Sequence, residues 1–215
     1  GPSVPIEIKY AQASELSTLV SVEIRSFPSS KYMHNTYKGC DPVNVHTFKT
    51  VSSLEYFTKP ECHILAGVDS KSGDIIAYCR WKIRAIYEFK RAVDTTLSND
   101  ALAQMQSMWA YAPKLSKSIY LFYEEMIQLL ELLCVLPDYQ RMGIGSALLR
   151  WGIEKADASN ARMYLEATME GMTAYLTHGW KVVEEIQLDT DRGGEGSQKF
   201  ALMIREPWPN LETGT

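Results

Sequence analysis

The sequence predicts an α/β protein, one globular domain in which short apolar strands alternate with amphipathic helices. Three observations lead there. The chain has 215 residues, 46% of them hydrophobic and 22% charged, which suits a single domain with a substantial core. Both hydrophobic periods are present: Ile6-Glu7-Ile8-Lys9-Tyr10 alternates like a strand, while Leu16, Leu19, Val20, Ile24 and Phe27 recur at helical spacing. The stretch from Leu132 to Leu149 then joins the two. An apolar run too short for a helix ends at Pro137, a polar turn with Gly143 and Gly145 follows, and Ile144, Ala147, Leu148 and Trp151 continue at helical spacing. No internal repeat or low-complexity segment interrupts the pattern.

Gly1-Pro2 reads as a scar of tag cleavage, and the domain is expected to run over residues 3–207. After the first strand, Ser14 is the expected cap of a helix that Pro28 ends. Residues 29–41 read as a polar loop rich in aromatics, with Tyr32, His34 and Tyr37. A second helix carries Val45, Phe48, Val51, Leu54 and Phe57 and stops before Pro60. Residues 63–68 and 74–83 are two strands, and the turn Asp69-Ser70-Lys71-Ser72-Gly73 makes them a hairpin. Residues 85–127 read as an inserted pair of helices. One carries Leu102, Met105, Met108 and Trp109; after Pro113 the other carries Leu115, Ile119, Phe122, Tyr123 and Met126. The central strand covers 128–136 and a fifth strand 160–167. Residues 170–178 form a short helix that Gly179 closes. A last strand pair, 180–188 and 199–204, flanks a glycine-rich loop, and the tail over 208–215 is expected to fray.

Composition narrows the partners. Net charge is -4, with no basic stripe carrying interleaved aromatics, so no nucleic-acid partner is expected. No run of about 18 apolar residues exists, so no membrane partner is expected either. Cys40, Cys62, Cys79 and Cys134 show no Cys-x-x-Cys pair and read as free thiols, which fits a reducing, cytoplasmic setting. His34, His46, His63 and His178 are isolated in sequence, so no metal is expected. Cys134 reads as a core thiol on the strand face opposite Glu131, and no Gly-x-Ser-x-Gly elbow offers an acyl-serine route.

The glycine-bearing turn is the point of chemical interest. The first N–H groups of a helix lack partners inside it, and its dipole makes that end positive. Gly143 and Gly145 let an anion approach the backbone, and Arg141 adds a full charge. The spacing Val135-x-Pro137-x-x-Gln140-x-x-Gly143-x-Gly145 resembles the acetyl-CoA signature of the GNAT superfamily of N-acetyltransferases. It lacks the Gly-x-x-x-x-Gly-Lys-Ser/Thr of a nucleotide P-loop and the third glycine of a dinucleotide fold. A second box, Tyr175-Leu176-Thr177-His178-Gly179-Trp180, resembles that superfamily's Tyr-x-x-x-Gly-Phe/Trp. Together with Leu149-Arg150-Trp151-Gly152 and Glu166-Ala167-Thr168, the pattern looks like a fungal-type branch of it.

The resemblance implies an α/β GNAT fold: a mixed, mostly antiparallel sheet flanked by helices, with the helical insertion placed before the central strand. It implies acetyl-CoA as co-substrate. Gln140, Arg141, Met142, Gly143, Ile144, Gly145 and Ser146 would wrap its pyrophosphate, while the backbone of Leu133, Cys134 and Val135 would pair with the pantetheine arm. The Leu133 N–H would face the thioester oxygen. Tyr175 would protonate the departing thiolate, a task that suits a phenol because it holds its proton at neutral pH. Glu131 would act as general base through water, although some relatives carry their glutamate two residues earlier, where Leu129 stands. Glu166 is the alternative base or an anion for the amine. Where many relatives have an asparagine this chain has Thr168, so no role is carried over. The first two helices and the 29–41 loop would build the acceptor wall. The expected reaction is transfer of an acetyl group to a primary amine of a small molecule by direct attack. Acetylation of a protein lysine or N-terminus, a longer acyl donor, and a non-catalytic CoA-binding module stay open, as does the choice of monomer or homodimer.

Overall fold

In a computed structural model of the chain, residues 4–27, 31–83, 128–189 and 197–208 are described. They form a seven-stranded sheet in the order β1-β2-β3-β4-β5-β7-β6. The strands are β1 (Ile6–Tyr10), β2 (Cys62–Asp69), β3 (Ile75–Ile83), β4 (Gln128–Val135), β5 (Met163–Thr168), β6 (Lys181–Asp189) and β7 (Ser197–Arg205). Every neighbouring pair is antiparallel except β4 with β5, which run parallel. This is the mixed, mostly antiparallel sheet expected. β2 and β3 are buried along nearly their whole length, as strands covered on both faces must be.

The helices are α1 (Leu16–Ser26), α2 (Lys31–Thr36), α3 (Pro42–Ser53), α4 (Ile144–Ala158) and α5 (Met172–Leu176). Helices α1 and α4 cover opposite faces of the sheet. A Cβ on Gly67 would meet both Ala77 of β3 and Ile144 of α4, so that face belongs to α4. Tyr78, one residue on, points the other way, and its hydroxyl donates to Glu23 of α1 at 3.1 Å. The core lies between these layers, with Leu19, Leu65, Ile76, Trp81, Ile144, Leu148, Leu149 and Met163 all but inaccessible. Gly152 lets α4 sit directly on the Trp81 indole.

Several local expectations change. Ser14 is not a helix cap; it lies inside a 3-10 turn (Ala13–Glu15), and Glu15 Oε1 accepts the Gln12 N–H at 2.9 Å instead. Part of the 29–41 loop is helical, as α2; residues 31–36 contain neither Gly nor Pro, which permits the helix without dictating it. Asp41, the last residue of the 29–41 stretch, caps α3, its carboxylate accepting the Val43 N–H at 2.8 Å. The second helix continues only as a 3-10 turn over Leu54–Thr58. Trp208, placed in the frayed tail, donates its backbone N–H to Asp157 at 3.0 Å. The helical pair at 85–127, most of the glycine-rich loop and the tail beyond 208 lie outside the described residues.

One change bears on the site. Arg80 pairs with Leu132 and Trp81 with Leu130, so Glu131 has no register partner and forms a β-bulge. The bulge breaks the alternation on which the two faces of β4 were assigned. Leu133 and Val135 pair with Cys79 and Ala77 on the α4 face, whereas Glu131 turns to Arg80 on the α1 face. Cys134 pairs with Tyr78, so it shares the α1 face with Glu131 and does not lie opposite it. Its thiol is buried and donates to the Tyr78 carbonyl at 3.6 Å. Cys62 and Cys79 are buried too, and Cys40 is exposed.

Candidate active site

The site begins where the sheet opens. β4 and β5 pair only through Gln128–Leu130 and Met163–Leu165, and beyond these the parallel strands separate. The gap is a cleft of about 720 Å³, lined by residues 130–135 of β4, 165–168 of β5, Gln140 and Arg141, and one face of α5. The end of α1 closes one side with Ser26 and Phe27.

Backbone phase decides what β4 offers to this cleft. The Leu136 N–H bonds the Ile76 carbonyl at 2.9 Å. In an antiparallel ladder only every second residue faces its partner strand, so Cys134 and Leu132 bond β3. The amides of Leu133 and Val135 therefore point away from β3 and into the cleft, as a strand edge available to an extended ligand. Gln140 Nε2 already reaches the Val135 carbonyl at 3.0 Å, tying the glycine turn to that edge.

After β4 a 3-10 turn (Pro137–Tyr139) leads to Gly143, which is the N-cap of α4 with φ +79°. Glycine meets that geometry at no steric cost. Arg141 adopts a φ of +61° without being glycine, a strained position of the kind that clusters at functional sites. The opening N–H groups of α4 have no intrahelical partners, and Arg141 is exposed beside them, so this end can hold a diphosphate. Ile144 is fully buried and takes part only through its backbone. Tyr139 fastens the turn from behind, its hydroxyl donating to Asp69 at 3.3 Å.

Tyr175 sits on the opposite wall, on α5. Its ring meets that of Trp180 edge-on, centroids 5.9 Å apart. Burial holds its phenol pKa above the usual value, so it stays protonated at neutral pH. Thr168 supports the turn into α5: its Oγ1 and its carbonyl both accept the Gly171 N–H, at 3.2 and 3.1 Å. Sequence reasoning gave Thr168 no role; a hydroxyl three residues before a glycine was the available signal.

Glu131 and Glu166 line the same cleft, with Glu170 at its α5 end. Glu131 Oε2 accepts Arg80 Nε at 2.6 Å, and the Arg80 guanidinium stacks 3.7 Å from the centre of the Tyr56 ring. Arg80 was not foreseen, because a cation 51 residues upstream carries no local signal. Glu166 lies opposite, half-buried on β5. Burial raises its pKa, an effect that the Tyr164 hydroxyl, 3.4 Å away, partly offsets. Of the residues singled out in the sequence, Glu131, Leu133, Cys134, Val135, Gln140, Arg141, Glu166 and Tyr175 share the cleft. Met142, Gly143, Ile144, Gly145 and Ser146 form the adjoining turn and helix start. Among the described residues no group of His, Cys, Asp or Glu could hold a metal.

A strand edge for an extended arm, a helix start for a diphosphate and a protonated phenol at the same cleft define an acyl-CoA-dependent transferase. The profile described as the acetyltransferase (GNAT) family matches residues 30–179, and the chain belongs to that family. A search of curated proteins finds no significant match. Among solved structures the chain is similar to a histone acetyltransferase HPA2 and related acetyltransferase from Corynebacterium glutamicum, with TM-score 0.62, 17% identity, and 96% of this chain and 98% of that one covered. It is also similar to a mosquito arylalkylamine N-acetyltransferase like 5b, with TM-score 0.58, 13% identity and 94% and 100% covered. A third is the PaiA N-acetyltransferase from Thermoplasma acidophilum in complex with coenzyme A, with TM-score 0.50, 16% identity and 94% and 99% covered. At these identities the likeness is one of fold.

Proposed function

We propose that the protein transfers the acetyl group of acetyl-CoA to a primary amine of a small molecule, within one catalytic domain over residues 3–207. The observation that carries this reading is the shared cleft, where the Leu133–Val135 edge, Tyr175 and the carboxylates of Glu131 and Glu166 meet. Gln140, Arg141, Met142, Gly143, Ile144, Gly145 and Ser146 hold the diphosphate of acetyl-CoA. Leu133, Cys134 and Val135 receive the pantetheine arm through their backbone.

The amine must arrive neutral. Glu131 takes its proton through a water, using the oxygen that Arg80 leaves open, and Glu166 is the alternative base. The amine nitrogen then attacks the thioester carbon, and the Leu133 N–H stabilises the oxyanion as charge develops. As the C–S bond breaks, Tyr175 gives its proton to the thiolate, and the attacking nitrogen sheds its second proton to restore the phenol through water. Among the described residues lining the cleft, Glu166, Glu170 and the Arg80-paired Glu131 stand with Arg141, a balance that suits an acceptor approaching as an ammonium ion. The resemblance to a fungal-type branch leans the same way, toward small acceptors.

The test is release of free CoA thiol from acetyl-CoA against amines, polyamines, aminoglycosides, amino acids and histone-tail peptides. Turnover with a small amine is expected, and Tyr175→Phe is expected to lower kcat by about a hundredfold or more. Turnover with peptides alone would move the acceptor to protein amines. Full kcat in Tyr175→Phe would remove the acid assignment.

A further inference from the structure

We propose that Arg205 is a positioning residue for Tyr175, one guanidinium that ties the far end of the phosphate-binding helix to the turn carrying the proton donor. The inference rests on the reading of Tyr175 as that donor.

Arg205 ends β7 with its side chain only 4% exposed, and every nitrogen of its fork is used. Nη1 and Nη2 donate to the two oxygens of Asp157 at 2.7 and 3.2 Å, and Nε donates to the His178 carbonyl at 2.9 Å. Asp157 lies in the last turn of α4. A carboxylate there faces the negative end of the helix dipole and gains nothing from its own helix. Its partners are the Arg205 fork and the Trp208 N–H.

The His178 contact places the other end of the link. His178 and Trp180 both donate their N–H groups to the Tyr175 carbonyl, at 3.0 and 3.2 Å, so the turn after α5 closes back on Tyr175 itself. Gly179 makes that reversal with φ +95°, and a Cβ there would stand 3.4 Å from Arg205 Nε. The Tyr175 ring rests against the buried Trp180, whose indole in turn lies 5.9 Å from the Arg205 guanidinium. Helix α4 is one continuous helix from Ile144 to Ala158, and its opposite end is the diphosphate cradle. Fixing its C-terminus to the Tyr175 turn therefore fixes where the phenol stands relative to a bound thioester. A displacement of about 1 Å is enough to cost a proton transfer about a hundredfold. Lysine keeps the charge but cannot reproduce three donors in one plane.

The experiment is a double-mutant cycle of Arg205→Lys and Tyr175→Phe in the full chain, read as single-turnover acetyl transfer together with KM for acetyl-CoA. The expected result is a tenfold or greater rate loss in Arg205→Lys with KM within twofold of wild type. That loss should shrink to less than twofold in the Tyr175→Phe background, since no acid is then left to position. A loss that persists undiminished in that background, or no loss at all, overturns the positioning role while leaving Tyr175 as the acid. A Tyr175→Phe enzyme at full rate removes the acid and this inference together. Should Arg205→Lys fail to fold, Asp157→Asn, which retains the side-chain shape, passes through the same cycle with the same outcomes.

Discussion

Gly143 and Gly145 stand two positions apart and are glycine for different reasons. Gly143 needs a left-handed backbone, with φ +79°, whereas a Cβ on Gly145 would make ordinary contact with Val135 at 3.8 Å. Gly143→Ala is expected to cost about 1–2 kcal/mol in denaturant unfolding and to raise KM for acetyl-CoA more than it lowers kcat. Gly145→Ala is expected to leave unfolding close to wild type and to act on KM for acetyl-CoA alone, because its Cβ would stand where the diphosphate approaches the backbone. Glu166 makes a pH-dependent prediction. Its carboxyl pKa is raised in the folded protein, so the folded state binds more protons than the unfolded chain between the two values. Stability from this group is present below the unfolded pKa and is lost as pH rises through the folded one. Glu166→Gln is therefore expected to melt higher than wild type at pH 8, and the difference should shrink toward pH 4.

At the scale of elements, close approach of α4 to the sheet depends on one missing side chain. An alanine Cβ at Gly152 would fall within 2.5–2.7 Å of Cε2 and Cη2 of the fully buried Trp81. Gly152→Ala is expected to cost about 1–3 kcal/mol, read from the denaturation midpoint at unchanged slope. Such packing is invisible in a sequence, whereas strand and helix periods are local. That is why the strands around Leu65, Ile76 and Leu133 and the helix after Gly143 could be read directly, and why three features could not. The bulge at Glu131 comes from register between strands, and it moved Glu131 off the face of Leu133 and Val135, where simple alternation put it, onto that of Cys134. Helix α2 needed its neighbours to select it from a polar stretch. The Arg80–Glu131 and Arg205–Asp157 pairs join residues 51 and 48 positions apart. The cofactor turn and Tyr175 were legible because each depends on a short run of residues in fixed spacing; their supports were not.

For the whole molecule, the decisive feature is that one sheet serves two tasks. Its β2 and β3 strands are buried between the helix layers, while its middle is held open where β4 and β5 part after three paired residues. The fold thus keeps backbone amides unpaired by strand geometry and supplies them to a ligand. Only proline removes such an N–H by substitution, and it also fixes φ within the strand, which places the burden of testing on the side chains around them.

Three of the four thiols are buried in the sheet, Cys62 on β2, Cys79 on β3 and Cys134 on β4, and this gives the protein a chemical asymmetry. Burial pushes the Cys62 and Cys79 thiols up to about 12, and it raises Cys134 as well, so all three resist forming the thiolate that alkylating reagents require. Cys40 is exposed, between α2 and α3. Iodoacetamide on the native protein is expected to add one adduct, at Cys40, by intact mass and peptide mapping. Its own chain then supplies a single attachment point for a fluorophore beside the proposed acceptor wall, with no cysteine to remove first.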